Sequence, residues 1–305
     1  MKPKVIILAG PTASGKTRVA LKLARRFNAA IVSADSVQIY RFMNIGSAKP
    51  SEEEQQTVPH FMIDIRNPDE EFSAGEYVSE ARSVIGKIVE KSMVPLVVGG
   101  TGLYIRLLIG GVADLPKADL ELRARLLRVY REKGIEALTS RLEDVDPSAA
   151  KNIGPKNLVR ILRALEVFEL TGKQISEVQK EHALGDCPYE ILYLGLNPDR
   201  KKLYQGIDNR VDIMIADGLL DEVRYLYNLG YSEELKSLQS IGYRHVGNVL
   251  SGKTTLAEAT ELMKRDTRHY AKRQLTWFRS EPNLKWFDPQ ETSIIEDEVD
   301  NFLEH

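Results

Sequence analysis

Short apolar runs alternate with segments of helical periodicity through the first 112 residues. The runs fall at residues 5–9, 30–34, 61–65 and 95–98. Between them, residues 17–27 and 74–91 repeat apolar side chains every three or four positions. Apolar runs of strand length alternating with amphipathic helices predict a parallel sheet with helices packed on its faces.

The pattern changes near Gly110-Gly111. Residues 119–180 hold no strand-like run. A charged amphipathic helix is expected at 120–133, stopped by Gly134, and another at 156–171, stopped by Gly172. This stretch reads as a helical insertion. Residues 190–196 return as a buried strand, followed by helices at 208–229 and 256–279. The stretch after Asp288 is acidic, and its pattern predicts no element.

The segment Gly10-Pro11-Thr12-Ala13-Ser14-Gly15-Lys16-Thr17 fits G-x-x-x-x-G-K-[ST] at every fixed position, between a predicted strand and a predicted helix. In that setting the loop amides and the positive end of the helix point at one place. Lys16 adds a full charge there, and Thr17 offers a hydroxyl to Mg2+. The expected ligand is a diphosphate or triphosphate. The fold class is therefore α/β: a P-loop NTPase-like core from residues 1–112 and 190–305, with an all-helical insertion domain at 113–189.

Composition narrows the setting. Cys187 is the single cysteine of 305 residues, which excludes an internal disulfide or a Cys-based zinc site and points to a reducing, cytoplasmic compartment. The chain opens directly on the first strand, so no signal peptide is expected. No apolar run approaches the roughly 20 residues of a membrane helix. The net charge of −2 means that any nucleic-acid partner must be held by local patches. A monomer is expected.

Asp35 follows the run 30–34. Ligands of open α/β sheets bind beyond the carboxyl ends of the strands, so Asp35 should face the glycine loop. There it could accept a proton or hold a metal through water; the alternative is a turn or helix cap. The run 94–98 ends not in an acid but in Gly99-Gly100-Thr101-Gly102-Leu103-Tyr104. That turn either lets a ligand approach backbone and the Thr101 hydroxyl, or is simply tight. Asp64, the other acidic candidate, lies inside its predicted strand.

Arg265, Arg268, Lys272 and Arg279 share one face of helix 256–279, opposite Met263, Tyr270, Trp277 and Phe278. Arg123, Arg125, Arg128 and Arg131 recur in the insertion, with Arg160 and Arg163 beyond. Each group alone reads as a solvated face. Together with a phosphate site in a mildly acidic chain they point to a polyanion, either RNA or a nucleotide. Ser240-Ile241-Gly242-Tyr243-Arg244-His245 could clamp a base or form a loop around a buried tyrosine. The five histidines show no metal-site spacing.

Taken together these blocks resemble the tRNA dimethylallyltransferases, which modify an adenosine beside the anticodon. The matching blocks are the glycine loop, Asp35-Ser36-Val37-Gln38-Ile39-Tyr40, Gly99-Gly100-Thr101-Gly102-Leu103-Tyr104, Arg160-Ile161-Leu162-Arg163-Ala164-Leu165-Glu166-Val167, Ile241-Gly242-Tyr243-Arg244 and Ala271-Lys272-Arg273-Gln274-Leu275-Thr276-Trp277. They run in family order over nearly the whole chain. The resemblance implies transfer of a dimethylallyl group from dimethylallyl diphosphate to N6 of adenosine 37, releasing diphosphate. It implies Asp35 as the proton acceptor, Lys16, Arg210 and Thr101 as catalytic partners, and Mg2+ on Thr17. It also implies contacts with the tRNA anticodon stem-loop at Asp35, Ser36, Val37, Gln38, Thr101, Arg123, Val159, Arg160, Ile161, Leu162, Arg163, Ser240, Gly242, Tyr243, Arg244 and His245. The alternatives are an adenylate isopentenyltransferase acting on AMP or ADP, a small-molecule kinase, and a non-enzymatic RNA-binding module.

Overall fold

Six parallel strands form one sheet in the order β3-β2-β4-β1-β5-β6. The computed structural model describes residues 2–111, 115–182 and 187–305 and divides into two units, Met1–Ile109 with Pro188–His305, and Gly110–Cys187. In chain order the first unit opens with β1 (Lys4–Ala9), α1 (Lys16–Arg26), β2 (Ala29–Ala34), α2 (Glu52–Thr57), β3 (His60–Phe61), α3 (Ala74–Glu90), β4 (Val94–Gly99) and α4 (Gly102–Gly110). The helical unit follows as α5 (Leu120–Val145), α6 (Pro147–Ile153), α7 (Leu158–Thr171) and α8 (Ile175–His182). The first unit resumes with β5 (Glu190–Leu196), α9 (Arg200–Ala216), α10 (Leu219–Asn228), α11 (Tyr243–Leu250), α12 (Leu256–Phe278), β6 (Lys285–Phe287) and α13 (Thr292–Glu304).

Strand side chains alternate between two cores, as a sheet covered on both faces requires. Ile6 and Leu8 pack with Val19, Leu23 and Ala24 of α1 and with Ile295 and Val299 of α13. Val5, Ile7 and Ala9 face the other way, onto a core with Tyr77, Ile85 and Ile88 of α3 and Tyr104 of α4. Capping boxes start α3 at Ser73 with Glu76 and α12 at Thr255 with Glu258.

Three expectations change. The strand expected at 61–65 is confined to His60–Phe61, because Met62 and Asp64 take left-handed φ values of 63° and 55° that end the ladder. The helix expected at 208–229 begins at Arg200, where the Asp199 carboxylate accepts from the Lys201 and Lys202 amides. It is divided from α10 at Gly218, whose φ is 97°. The acidic stretch after Asp288 is structured: α13 closes the α1 side of the core, just after β6, which pairs with β5.

In the helical unit, Leu122, Leu126, Leu138, Leu142, Ile161 and Leu165 make the core. Gly134 breaks α5 with φ 79° and ψ 178°, and Gly172 ends α7 in the left-handed region. Residues 112 and 113, where the first boundary is expected, lie outside the described residues. The second division falls between Cys187 and Pro188.

Candidate active site

The parallel register sets Ala9 beside Gly99 and Gly99 beside Ala34. The carboxyl ends of β1, β4 and β2 are therefore adjacent, and the glycine loop, Thr101 and Asp35 leave the sheet side by side. The packing is close: a Cβ on Gly99 would stand 2.1 Å from the Ala34 oxygen, and one on Gly10 would stand 2.8 Å from the Leu196 oxygen. Only glycine fits either position.

The loop turns through left-handed φ at Ala13 (60°) and Gly15 (88°), and α1 starts at Lys16. Lys16 Nζ folds back to donate to Gly10 O at 3.0 Å and Pro11 O at 2.7 Å. Burial and the nearby Arg210 guanidinium push its ammonium down to about 7, against the opposing field of Asp35. Arg210 reaches the loop from mid-α9, not from a helix start as expected, and donates to Thr12 Oγ1 at 3.3 Å. Its guanidinium is also lowered by burial, with Asp35 opposing. Two half-buried cations held this close favour an anion between them. Ser14 Oγ is buried in the loop without a partner among the described residues. A groove of about 830 Å³ runs from Gly15 and Thr17 past Arg18, Lys22, Arg25 and Arg210.

Asp35 Oδ1 accepts from the amides of Val37 (2.8 Å) and Gln38 (3.3 Å), so the carboxylate does close a turn. Its Oδ2 carries no hydrogen bond among the described residues. Thr101 Oγ1 accepts from the Ser36 amide at 3.1 Å, and its hydroxyl also meets the Tyr270 phenol. The Tyr270 phenol is held up by burial and the field of Asp35, beside Gln274 and Thr101.

Gln274, part of a family block but not a predicted site residue, joins two of these elements. It is buried on α12, accepts from the Thr12 amide at 2.9 Å and donates to Gly100 O at 2.9 Å. The available signal was a glutamine on the apolar stripe Met263, Thr267, Ala271, Phe278, where an uncompensated amide would be costly.

Several predicted RNA contacts lie elsewhere. Ile161 and Leu162 are in the core of the helical unit, so α7 offers Val159, 77% exposed, and Arg160. Arg123 and Arg163 both bond to the buried Glu166 carboxylate, at 2.9 and 2.7 Å. The Gln38 amide is turned inward, accepting from Ser33 Oγ and donating to Ala48 O. Tyr243 is buried and donates to Glu222 Oε1 at 2.7 Å, and its ring fills the space above Gly46. Gly242 is buried, and Ser240 Oγ donates to Ser237 O. His245 is buried too: Nδ1 accepts from the Gly242 amide and Nε2 faces Asp266, which also pairs with Arg244. The 240–245 segment is therefore a packed entry into α11 around a buried tyrosine, the second of the two readings its sequence allowed. On α12, Arg268 pairs with Asp208 at 2.5 Å and Arg265 with its neighbour Asp266. Lys272 is exposed with no ion pair among the described residues. Asp64 is engaged by Lys49, whose side chain is buried.

No cluster of three His, Cys, Asp or Glu side chains that could hold a metal occurs among the described residues. The Thr17 hydroxyl, exposed at the head of α1, suits an ion that takes its other ligands from phosphate and water, as Mg2+ does. No helix among the described residues is long and apolar enough to cross a membrane.

Comparison with known proteins agrees with this arrangement. The model of the IPP transferase family matches residues 38–281. The tRNA dimethylallyltransferase of Geobacter sulfurreducens is 50% identical over 94% of this chain and 92% of its own length. The full-length tRNA isopentenylpyrophosphate transferase of Bacillus halodurans superposes with a TM-score of 0.74 at 40% identity, over 99% of this chain and 97% of that one. A eukaryotic dimethylallyltransferase acting on tRNA superposes with a TM-score of 0.81 at 28% identity, over 94% and 74%. A glycine loop, Asp35 and Thr101 on three adjacent strand ends, joined to this extent of likeness, place the chain in the IPP transferase family.

Proposed function

We propose that the protein transfers the dimethylallyl group of dimethylallyl diphosphate to N6 of adenosine 37 in the tRNA anticodon stem-loop. The observation that carries this reading is the adjacency of the three strand ends. A cradle for diphosphate, a carboxylate with one free oxygen and the Thr101 hydroxyl stand side by side at one sheet edge.

In the reaction the bond between C1 of the dimethylallyl group and the diphosphate oxygen breaks. A bond from C1 to N6 forms, and one N6 proton leaves. The glycine-loop amides, Lys16 and Arg210 would take the charge that gathers on the leaving oxygen. Mg2+, held by Thr17 and the diphosphate, would supply further charge neutralisation there. Asp35 Oδ2 is the acceptor for the N6 proton, while Oδ1 keeps the carboxylate aimed through the Val37 and Gln38 amides. Thr101, anchored on Ser36, brings its hydroxyl to the same site. An exocyclic amine is a weak nucleophile, so alignment matters as much as basicity. Val159, Arg160 and the exposed cation Lys272 are the tRNA contacts this reading favours.

Incubation with Mg2+, labelled dimethylallyl diphosphate and either unmodified tRNA or AMP tests the assignment. Label at adenosine 37 is the expected result. Label in AMP alone moves the acceptor to a free nucleotide, and label in neither overturns the reading.

A further inference from the structure

Two turns of the first unit hold the two halves of the proposed chemistry. The glycine loop takes the leaving group, and the Gly99-Gly100-Thr101 turn stands with Asp35 at the nucleophile. Each leaves its own strand, and strand pairing alone aligns them only as far as Ala9 and Gly99. Beyond the sheet they are joined by one side-chain amide. Gln274 Oε1 accepts from the Thr12 N–H, and Gln274 Nε2 donates to Gly100 O, both at 2.9 Å. Among the described residues no other side chain bonds to both turns.

The surroundings make this link stiff. Gln274 is 6% exposed, so each amide atom satisfies a group that water does not reach freely. A Cβ on Gly100 would stand 2.3 Å from Gln274 Nε2, so the absence of a side chain at that position is what admits the amide. Thr12 is held on its other side by the Arg210 bond to its hydroxyl. A shift of the Gln274 amide would therefore move the loop relative to Thr101 without removing a group from either.

We propose that Gln274 is a positioning residue for the transfer step: it sets the separation between the leaving-group cradle and the nucleophile-holding turn. The proposal rests on the prenyl-transfer reading above. The Gln274 amide is engaged by the Thr12 N–H and Gly100 O, so its loss should slow the chemical step and spare the binding of each substrate taken alone. Misplacement of reacting groups by about an ångström costs on the order of 100-fold in rate.

The test compares wild type, Gln274→Met and Gln274→Glu. Met removes both hydrogen bonds at similar length; Glu keeps the acceptor for Thr12 and sets an oxygen against Gly100 O. The readouts are the single-turnover transfer rate, the Kd for inorganic diphosphate and the Kd for tRNA. The expected result is a rate lowered about 10- to 100-fold in both variants, with either Kd changed by no more than about threefold. Gly100→Ala gives an independent readout should the substitutions at 274 compromise folding. It should slow transfer in the wild-type background and add little to Gln274→Met, because both act through one link. An unchanged rate, a rate that falls only in step with the Kd values or the folded fraction, or additive effects in that cycle would overturn the proposal. Wild type that fails to prenylate tRNA would overturn the functional reading, and this inference with it.

Discussion

Thr101 Oγ1 lies 3.1 Å from the backbone nitrogen of Ser36, and the Thr101 amide donates to Ala34 O at the same distance. The residue on either side of Asp35 is thus pinned to Thr101. The hydroxyl serves as acceptor in this link, so Thr101→Ser should keep the transfer rate near wild type. Thr101→Ala strands the Ser36 N–H and loosens the Asp35 turn, and should lower kcat by about 10-fold or more. Equal rates for the Ser and Ala variants would remove the hydroxyl from the mechanism.

Asp35→Asn separates the two oxygens of the carboxylate. An amide oxygen can still accept from Val37 and Gln38, so the turn should survive. The other position becomes an NH2 that cannot take the N6 proton. We expect kcat to fall by about 10²- to 10⁴-fold with tRNA affinity little changed, measured by single turnover beside equilibrium binding. A matching loss of affinity would make Asp35 a binding group.

The core and the sheet edge were legible because buried parallel strands are continuous apolar runs, and because Asp35 and Gly99 follow such runs directly. The short β3 was not legible: its end is set by left-handed backbone at Met62 and Asp64, which neither residue type announces. Tyr243 and His245 resemble a base clamp in sequence. Their burial depends on Glu222 and Asp266, 21 residues away in the chain for each contact. The same holds for Gln274, whose partners at Thr12 and Gly100 are 262 and 174 residues away. Periodicity reports which face is buried, not which distant polar group meets it there.

Glu166 ties the start of α5 to the middle of α7, accepting from the Asp119 amide, Arg123 and Arg163. Burial works to raise its carboxyl, but the Arg163 hydrogen bond, the Asp119 amide and Arg123 outweigh it and hold the group below its ordinary 4.5. A depressed carboxylate contributes stability above its unfolded pKa, and that contribution is lost as pH falls through the folded value. Glu166→Gln should destabilise the helical unit at pH 7 by about 1–3 kcal/mol. The difference from wild type should shrink as the pH drops below 4.5. Amide hydrogen exchange of α5 and α7 checks both; equal protection at pH 7 would make the cluster energetically neutral.

Cations that are already paired should matter less to RNA than free ones. Arg160 and Lys272 are exposed and have no ion-pair partner among the described residues, whereas Arg268 is neutralised by Asp208. Arg160→Ala and Lys272→Ala should each flatten the plot of log Kd against log salt by about one unit. Arg268→Ala should change that slope less. Fluorescence anisotropy with labelled tRNA over a salt series decides it; a larger effect from Arg268 would mean that its pairing with Asp208 opens on binding.

Lys16 gives the site a pH signature. Burial and Arg210 bring its ammonium down to about 7 in the free protein, from 10.5 in an unfolded chain. Between these values the unfolded chain holds the extra proton, so stability relative to Lys16→Met rises with pH over that window. Below 7 the buried charge exacts its full cost. A bound diphosphate reverses the balance, because its negative charge favours the ammonium again. At pH 8, where the free side chain is largely neutral, binding of inorganic diphosphate should draw a proton onto Lys16; at pH 6 the proton is already there. Calorimetry in two buffers of different ionisation enthalpy should therefore show wild type taking up more protons than Lys16→Met at pH 8, approaching one, and nearly the same number at pH 6. Equal uptake by both proteins at pH 8 would mean that Lys16 stays charged in the empty loop, and that Asp35 and the Gly10 and Pro11 carbonyls offset its burial.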